Sequence, residues 1–149
     1  MKINWQLKKF EELSTTELYE ILRLRAEVFV VEQNCPYQDM DGKDFKSFHL
    51  LGYNENKELL SYTRILPAGI SYKEVSIGRV VTSPKARGTG AGKELMNESI
   101  KCIEKLFGNV PIRIGAQCYL IKFYSGFGFE IASEEYLEDN ISHIEMLLG

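Results

Sequence analysis

The spacing of hydrophobic residues divides the chain into stretches typical of strands and stretches typical of helices. Short runs that alternate or are continuously apolar favour β-strands, whereas apolar residues three and four positions apart favour amphipathic helices. The predicted strands are "INWQLKKF" (3–10), "SFHLLGY" (47–53), "LLSYTRIL" (59–66), "VSIGRVVT" (75–82), "VPIRIGAQ" (110–117) and "ISHIEMLL" (141–148). The polar stretch "NENKE" joins the second and third of these as an antiparallel hairpin.

Two longer helices are predicted between these strands. The first begins at Ser14, whose spacing from Glu17 is that of a capping box, and its apolar residues continue to about Val31. The second spans 90–107, where apolar residues recur at helical spacing and charged residues fill the other face. Gly108 stands where a glycine commonly ends a helix.

The order of the elements predicts a mixed α/β fold. A strand, a helix and three strands joined by short turns give a largely antiparallel first half, and a β-α-β unit follows over about 75–117. A short helix in "YLIKFYSGFGF" (119–129), ended by Gly126 or Gly128, precedes the last strand. Since no repeat, linker or low-complexity segment interrupts the pattern, one domain is expected over 1–149.

Composition narrows the function classes. The chain has 18 basic and 21 acidic side chains, a balance that argues against a nucleic-acid-binding protein. No apolar run is long enough to span a membrane and the N-terminus lacks a signal peptide, so we expect a cytoplasmic protein. Three scattered cysteines, Cys35, Cys102 and Cys118, fit that compartment. With only His49 and His143 as histidines, no metal site is expected.

The segment "RVVTSPKARGTGAGKELM" (79–96) places a glycine-rich turn between a strand and a helix, the usual setting of a phosphate site. Two common phosphate motifs do not fit it. A Walker loop ending at Lys93 would have Arg87 at its first glycine position and Glu94 in place of the magnesium-binding hydroxyl. A dinucleotide fingerprint beginning at Gly88 would need a third glycine where Lys93 stands.

The pattern that does fit is Arg-x-x-Gly-x-Gly, formed by Arg87, Gly90 and Gly92. Glycines let the backbone curl so that several N–H groups face one point, and the helix that follows adds its positive end. Arg87 and Lys93 add full positive charges, so the turn suits a pyrophosphate. The alternative is a plain glycine-rich β-α turn with solvated basic side chains.

Two motifs in this order resemble those of the GNAT superfamily of N-acetyltransferases. They are "VVTSPKARGTGAG" (80–92), similar to that family's acetyl-CoA pyrophosphate loop, and "AQCYLIKFYSGFGF" (116–129). In the second motif the family has an Asn or similar residue seven positions before the Tyr of a Phe-Tyr pair, followed by Gly-Phe. The corresponding residues are Gln117, Phe123, Tyr124, Gly128 and Phe129.

Much of the remaining chain resembles the ElaA-type branch of that superfamily, whose substrates are largely unassigned. The similar segments are "LRLRAEVFVVEQNCPYQDMDGKD" (22–44), "RILP" (64–67) and "EDNISHIEM" (138–146). Gln117 stands where many relatives have Asn, which preserves hydrogen bonding, and Leu120 stands where a small residue is frequent.

The resemblance implies a twisted mixed sheet, flanked by helices and splayed between the strands 75–82 and 110–117. The pantetheine arm of acetyl-CoA would lie in that gap against the backbone of Val80 and Thr82, and the N–H groups from Arg87 to Lys93 would hold the pyrophosphate. The residues expected to bind the cofactor are Val80, Val81, Thr82, Arg87, Gly88, Thr89, Gly90, Ala91, Gly92, Lys93, Gln117, Phe123 and Tyr124.

The same resemblance implies direct acetyl transfer to an amine. Tyr124 would protonate the departing thiolate, and the N–H of Val81 would polarise the thioester carbonyl. An amine also needs a base, because most of it is protonated at neutral pH. The candidates are Glu32, Asp39, Asp41, His49, Glu138 and His143, of which Glu32 and His143 are taken as catalytic with Tyr124.

Several alternatives stay open at this level. The acidic residues Asp39, Asp41 and Asp44 suit either a solvated loop or recognition of a cationic amine, and Arg25 and Arg64 suit either a substrate carboxylate or pairing with those acids. The resemblance implies a small-molecule or peptide amine as the acceptor, and no nucleic-acid or membrane partner is expected. Its pocket is expected within 17–46 and 136–148. Dimers are common in the family. A non-catalytic acyl-CoA sensor is the alternative function, and a nucleotide hydrolase lacks a magnesium ligand.

Overall fold

A computed structural model describes residues 2–149, which form one eight-stranded sheet. The strand order is β1-β2-β3-β4-β5-β8-β6, and β7 also pairs with β8. The strands are β1 (Asn4–Lys9), β2 (Phe48–Tyr53), β3 (Leu59–Leu66), β4 (Val75–Thr82), β5 (Ile112–Gln117), β6 (Glu130–Ile131), β7 (Tyr136–Glu138) and β8 (Ile141–Leu148). Every pairing is antiparallel except that of β4 with β5, as the mixed α/β prediction requires.

The helices also follow the predicted plan. They are α1 (Thr15–Arg25), α2 (Ala91–Phe107) and α3 (Ile121–Ser125). The predicted capping box is present, since the N–H of Glu17 donates to the Ser14 hydroxyl and the N–H of Ser14 to the Glu17 carboxylate. The first helix reaches the predicted length, but its last seven residues, Ala26–Glu32, form a π-helix. That widened turn leads the chain into the loop 33–46.

Two strands lie outside the sequence prediction. β6 has two residues and β7 has three, and both are largely exposed. The acidic stretch that contains β7, "SEEYLED", has no hydrophobic period that would predict a strand. These residues are strands because β8 offers them a partner, which is a tertiary effect.

The parallel pair β4 and β5 separates soon after it begins. Two residue pairs join the strands: Val75 pairs with Ile112, and Ser76 pairs with Arg113. β5 then continues along β8 as far as Gln117, opposite His143. The splayed sheet implied by the resemblance is therefore present, and it leaves the second half of β4 without a strand on one side.

A helix covers each face of the sheet. The α2 residues Leu95, Met96 and Ile103 pack in the main core with Val75 and Ile77 of β4. The α1 residues Ile21 and Leu24 pack on the other face with Leu51, Tyr62 and Val81. Because successive strand residues point to opposite faces, almost the whole of β2 and β3 is buried.

The loop 33–46 is fastened to the sheet by buried charges. Arg25 of α1 has no exposed surface, and its guanidinium contacts the carboxylates of Asp39 (Nε–Oδ2 2.9 Å) and Asp44 (Nη1–Oδ1 2.8 Å). Arg64 of β3 pairs with both carboxylate oxygens of Asp41, at 2.8 and 2.9 Å. Asp39, Asp41 and Asp44 are thus neither simply solvated nor free to bind a cation. Arg25 and Arg64 pair with these aspartates.

His49 lies beneath this network and is 1% exposed. Its Nε2 donates to the carbonyl of Asp44 (3.0 Å), so its Nδ1 accepts from the Tyr62 hydroxyl (2.6 Å). Burial is the main cause that lowers the pKa of His49, and Arg25 and Arg64 lower it further, against an opposing effect of Asp44. The histidine is therefore neutral in the native protein and is packed inside the fold.

This burial predicts a loss of stability in mild acid. Unfolding exposes the imidazole, which takes up a proton below its ordinary pKa of about 6.5, so the unfolded chain then binds more protons than the native one. The free energy of unfolding should fall as the pH drops from about 7 to about 5, above the range where carboxylates titrate. Urea titrations across this range should show a smaller fall for His49→Gln. His143→Gln, which removes the other histidine, should keep the fall due to His49, and an unchanged slope in His49→Gln would contradict this account.

Candidate active site

A cleft of about 920 Å³ opens where β4 and β5 part. Its walls come from the second half of β4, the end of β5, α3, β8 and the loop 33–46. Many residues singled out in the sequence line it: Val80, Val81, Thr82, Arg87, Gln117, Tyr124, Glu138 and His143. The two distant motifs, 80–92 and 116–129, therefore meet at one site.

The glycine turn leads into the N-terminus of α2, and its Arg87 lines this cleft. Gly88 and Gly90 have φ angles of 77° and 82°, and no atom lies within 4 Å of where a Cβ would stand on either. The requirement for glycine is therefore conformational. The N–H of Glu94 donates to the carbonyl of Gly90 at 3.1 Å and begins the helical ladder. The N–H groups of Gly90, Ala91, Gly92 and Lys93, at the start of this helix, have no carbonyl partner within the helix.

Arg87 and Glu32 meet at the edge of this turn. One guanidinium nitrogen lies 2.8 Å from the carboxylate and a second is in contact with it, and both side chains are about half exposed. Hydrogen bonding to Arg87 is the main cause that lowers the pKa of Glu32. A carboxylate held in this way is a weak base, and it lies beside the glycine turn. The N–H of Arg87 is directed at the carbonyl of Pro84 (3.4 Å), which takes it out of the row of open amides.

The open side of β4 is set by its pairing with β3. The N–H of Ser83 donates to the carbonyl of Leu60 at 2.7 Å, and Tyr62 stands opposite Val81. Since the backbone groups of an antiparallel strand point alternately to its two sides, Val81 also faces β3, and Val80 and Thr82 face the cleft. This agrees with Val80 and Thr82 as backbone contacts for a bound arm. The Val81 N–H faces β3 and is therefore poorly directed to polarise a carbonyl in the cleft. The Val80 N–H is better directed for that role.

Tyr124 stands on α3 at the wall of the cleft and is 6% exposed. Its ring packs edge-on against Phe123 (5.1 Å between centroids) and Phe129 (6.1 Å). Burial raises its pKa to about 12, so the phenol keeps its proton at neutral pH. Phe123 in turn reaches towards the glycine turn, since its ring atom Cζ lies 3.9 Å from the Cβ position of Gly92.

His143 lies on β8 opposite Gln117 and lines the cleft. Its Nδ1 is 2.7 Å from the carbonyl of Ile141, so Nδ1 carries the proton and Nε2 presents a lone pair in the neutral ring. Nε2 is 3.6 Å from the carboxylate of Glu138, and the ring stacks on Tyr136 at 5.8 Å. His143, Glu138 and Tyr136 thus form one group in the wall of the cleft.

The remaining base candidates are engaged elsewhere. His49 is buried in the hydrogen bonds described above, and Asp39 is enclosed by arginines. Asp41 lines the cleft, but its carboxylate is held by Arg64, and hydrogen bonds and charge lower its pKa.

A pair of tyrosines in the cleft was missed at the sequence level. A Cβ placed on Gly115 of β5 would lie 2.8 Å from the hydroxyl of Tyr72 and 2.9 Å from that of Tyr136. Both hydroxyls therefore converge on this glycine, and any side chain at position 115 would displace them. The available signal was a glycine inside a predicted strand, which often marks a close approach of another group.

Within residues 2–149, no helix combines the length and apolar composition that crossing a bilayer requires. In the same part of the chain, no three histidine, cysteine, aspartate or glutamate side chains are grouped to hold a metal ion.

Comparison with known proteins places the chain in a family. The family model described as an acetyltransferase (GNAT) domain matches residues 12–148. The ElaA protein of Escherichia coli is 44% identical over 97% of this chain and 95% of its own length. Its crystal structure matches with a TM-score of 0.92 over 99% of this chain and 100% of that one. An acyl-CoA N-acyltransferase from Pseudomonas aeruginosa, 41% identical, matches with a TM-score of 0.94 over 99% and 100% of the two chains. The chain therefore belongs to the GNAT acetyltransferase family and is similar to ElaA.

Proposed function

We propose that this protein transfers an acetyl group from acetyl-CoA to the amine of a small molecule or peptide. The observation that carries the proposal is the continuity of the site. An open row of amides at the start of α2 leads into the gap beside β4, and Tyr124 and His143 stand along that gap. The similarity to an acyl-CoA N-acyltransferase at 41% identity supports the acyl-CoA part.

The cofactor would lie along the glycine turn and β4. The amides from Gly88 to Lys93 would hold the pyrophosphate, with the positive end of α2 behind them. Arg87 would then exchange or share its contact with Glu32 for a phosphate oxygen. The pantetheine arm would pair with the backbone of Val80 and Thr82, which have no strand beside them. Gln117, at the end of β5, faces this arm from across the gap.

The reaction needs one proton to arrive and one to leave. The amine nitrogen attacks the thioester carbonyl, a tetrahedral oxyanion forms, and the carbon–sulfur bond then breaks. The N–H of Val80 is directed to stabilise the oxyanion. Tyr124 gives its proton to the departing thiolate, and because burial raises its pKa the phenol carries that proton at neutral pH.

His143 is the base that this arrangement favours. A protonated alkyl amine has a pKa near 10.4, so the enzyme must remove a proton from nearly every substrate molecule. The unprotonated Nε2 of His143 and the carboxylate of Glu138 face each other at 3.6 Å, and a cationic amine supplies the hydrogen that both can accept. Glu32, whose carboxylate is paired with Arg87, is less suited to that role.

Release of free coenzyme A tests the proposal. The protein is incubated with acetyl-CoA and a panel of small and peptidyl amines, and the thiol is measured over time. Amine-dependent thiol release is the expected result. Binding of acetyl-CoA without turnover across a broad panel would instead indicate the non-catalytic sensor.

The one-domain organisation, a cytoplasmic location and the oligomeric state stay predictions.

Gly90→Asp should weaken acetyl-CoA binding by at least about a hundredfold. The residue has a left-handed backbone, which disfavours any side chain, and the new carboxylate would repel the pyrophosphate. Calorimetry gives the affinity. Gly69→Asp is the matched control, since Gly69 also has a positive φ (91°) and open space around it but lies in the β3–β4 loop. Equal binding by wild type and Gly90→Asp would remove the pyrophosphate assignment.

Tyr124→Phe should lower kcat about a hundredfold and leave the affinity for acetyl-CoA nearly unchanged. The ring and its packing against Phe123 and Phe129 are retained, and only the proton donor is lost. Steady-state kinetics and calorimetry on the same preparation separate the two quantities. An equal loss in both would mean that the hydroxyl serves binding.

His143→Gln should also lower kcat about a hundredfold at neutral pH. The loss should shrink as the pH is raised, because a larger fraction of the amine then arrives without its proton. Glu32→Gln is the control, and we expect it to leave the pH dependence of kcat unchanged. A defect of constant size at every pH in His143→Gln would assign the histidine to substrate positioning.

A further inference from the structure

Arg79 has a left-handed backbone in the middle of β4. Its φ is 50°, and of the five non-glycine residues with positive φ within residues 2–149 it is the one that lies inside a strand. The cause is a register shift. Arg64 pairs with Gly78 and Tyr62 with Val81, so Arg79 and Val80 together stand opposite the single residue Thr63. This is a β-bulge, in which one strand has an extra residue.

The bulge reverses the two faces of β4. Before it, Val75 and Ile77 pack in the core under α2. If the alternation continued unbroken, Val81 would lie on that same face. Val81 instead packs with α1, and Val80 packs against the α2 core. The extra residue therefore determines that the backbone of Val80 and Thr82, and not that of Val81, is directed into the gap beside β4.

The side chain of Arg79 is held in place by the loop 33–46. Its Nε is 2.8 Å from Oδ1 of Asp39, and its Nη2 is 2.8 Å from the carbonyl of the same residue. The guanidinium also lies over the ring of Tyr37, 5.7 Å from the centroid, and near Asp41 at 3.4 Å. A left-handed conformation is unfavourable for arginine, so these contacts offset a local strain.

Asp39 is itself held by further hydrogen bonds from Arg25 and Tyr37. The buried Arg25 contacts its second carboxylate oxygen at 2.9 Å and its carbonyl at 3.2 Å, and the Tyr37 hydroxyl donates to Oδ1 at 3.0 Å. Asp41 is held in the same manner by Arg64. The chain of contacts runs from α1 through the loop to the bulge, and every charge along it is paired.

We propose that the Asp39–Arg79 pair is a positioning device that holds the β4 bulge and thereby aims the Val80 and Thr82 amides at the acyl-bearing arm of the cofactor. The inference rests on the proposed function, in which that arm lies beside β4. Neither residue takes part in the chemistry. Asp39 acts through Arg79, and Arg79 acts through the backbone of its own strand.

The test compares Arg79→Ala with Arg79→Gly. Both variants remove the guanidinium and change the charge equally, but only alanine retains the penalty for a left-handed backbone. Affinity is measured by calorimetry for two probes, acetyl-CoA and adenosine 3′,5′-diphosphate, which lacks the pantetheine arm. We expect alanine to bind acetyl-CoA about tenfold more weakly than glycine does, while both bind the nucleotide as the wild type does.

Lys57 supplies a matched control for the backbone effect. It also has a positive φ (60°), but it lies in the β2–β3 turn. Lys57→Ala and Lys57→Gly should differ in melting temperature and bind acetyl-CoA equally.

A double-mutant cycle tests the role of Asp39. Asp39→Asn should weaken acetyl-CoA binding in the wild type and have a several-fold smaller effect in the Arg79→Gly background, because glycine no longer needs to be held. Melting temperatures show that each variant is folded.

Two results would overturn the inference. One is equal affinity of Arg79→Ala and Arg79→Gly for acetyl-CoA, and the other is a loss of the same size for both probes, which would indicate a general structural defect. A wild-type protein that binds neither probe would instead overturn the proposed function, so the two failures are distinguishable.

Discussion

The separation of β4 from β5 is the constraint on which the rest of the site depends. The two strands share two residue pairs and then part, although both continue. Backbone N–H and C=O groups are rarely left without partners inside a protein, so the free side of β4 is a place where an extended, amide-bearing molecule gains hydrogen bonds. Recognition through the backbone also tolerates changes of side chain at the positions that line the gap.

The loop 33–46 shows how charge is used to build this site. Three arginines from three elements, Arg25, Arg64 and Arg79, enclose three aspartates of one loop. A buried ion pair adds little net stability relative to an apolar core, but removing one partner leaves an uncompensated charge and costs about 3–5 kcal/mol. Such a network therefore favours one arrangement of the loop over its alternatives. The loop in turn forms a wall of the cleft and contacts the β4 bulge.

The two histidines illustrate how environment assigns roles to the same residue type. Both occupy strands of one sheet, and both are less than a tenth exposed. His49 uses both ring nitrogens in hydrogen bonds to buried groups, which leaves it no capacity to receive a proton from a ligand. His143 uses one nitrogen to fix its orientation and directs the other towards Glu138 in the cleft. The sequence offered both as candidate bases, and only His143 was taken as catalytic.

The sequence by itself determined the regular elements, because hydrophobic spacing and end signals are local. The limits of β3 and β4 agree with the prediction, and the capping box at Ser14 and the glycine at position 108 mark the helix ends where expected. The glycine turn before α2 was also visible, since its glycines are needed for backbone conformation and not for contacts with distant residues. The resemblance then joined it to the second motif.

Only the tertiary structure decided which groups face the cleft. The bulge at Arg79 adds one residue to β4. The hydrophobic pattern of the strand does not reveal it, so the sequence could not show which of Val80 and Val81 faces the cleft. The ion pair between Glu32 and Arg87 joins residues far apart in sequence, and it makes Glu32 a weaker candidate for the base. Strands β6 and β7 and the tyrosine pair at Gly115 depend on neighbours brought together by folding. Local patterns carry information about a residue's own backbone, whereas its partners are set by packing across the sheet.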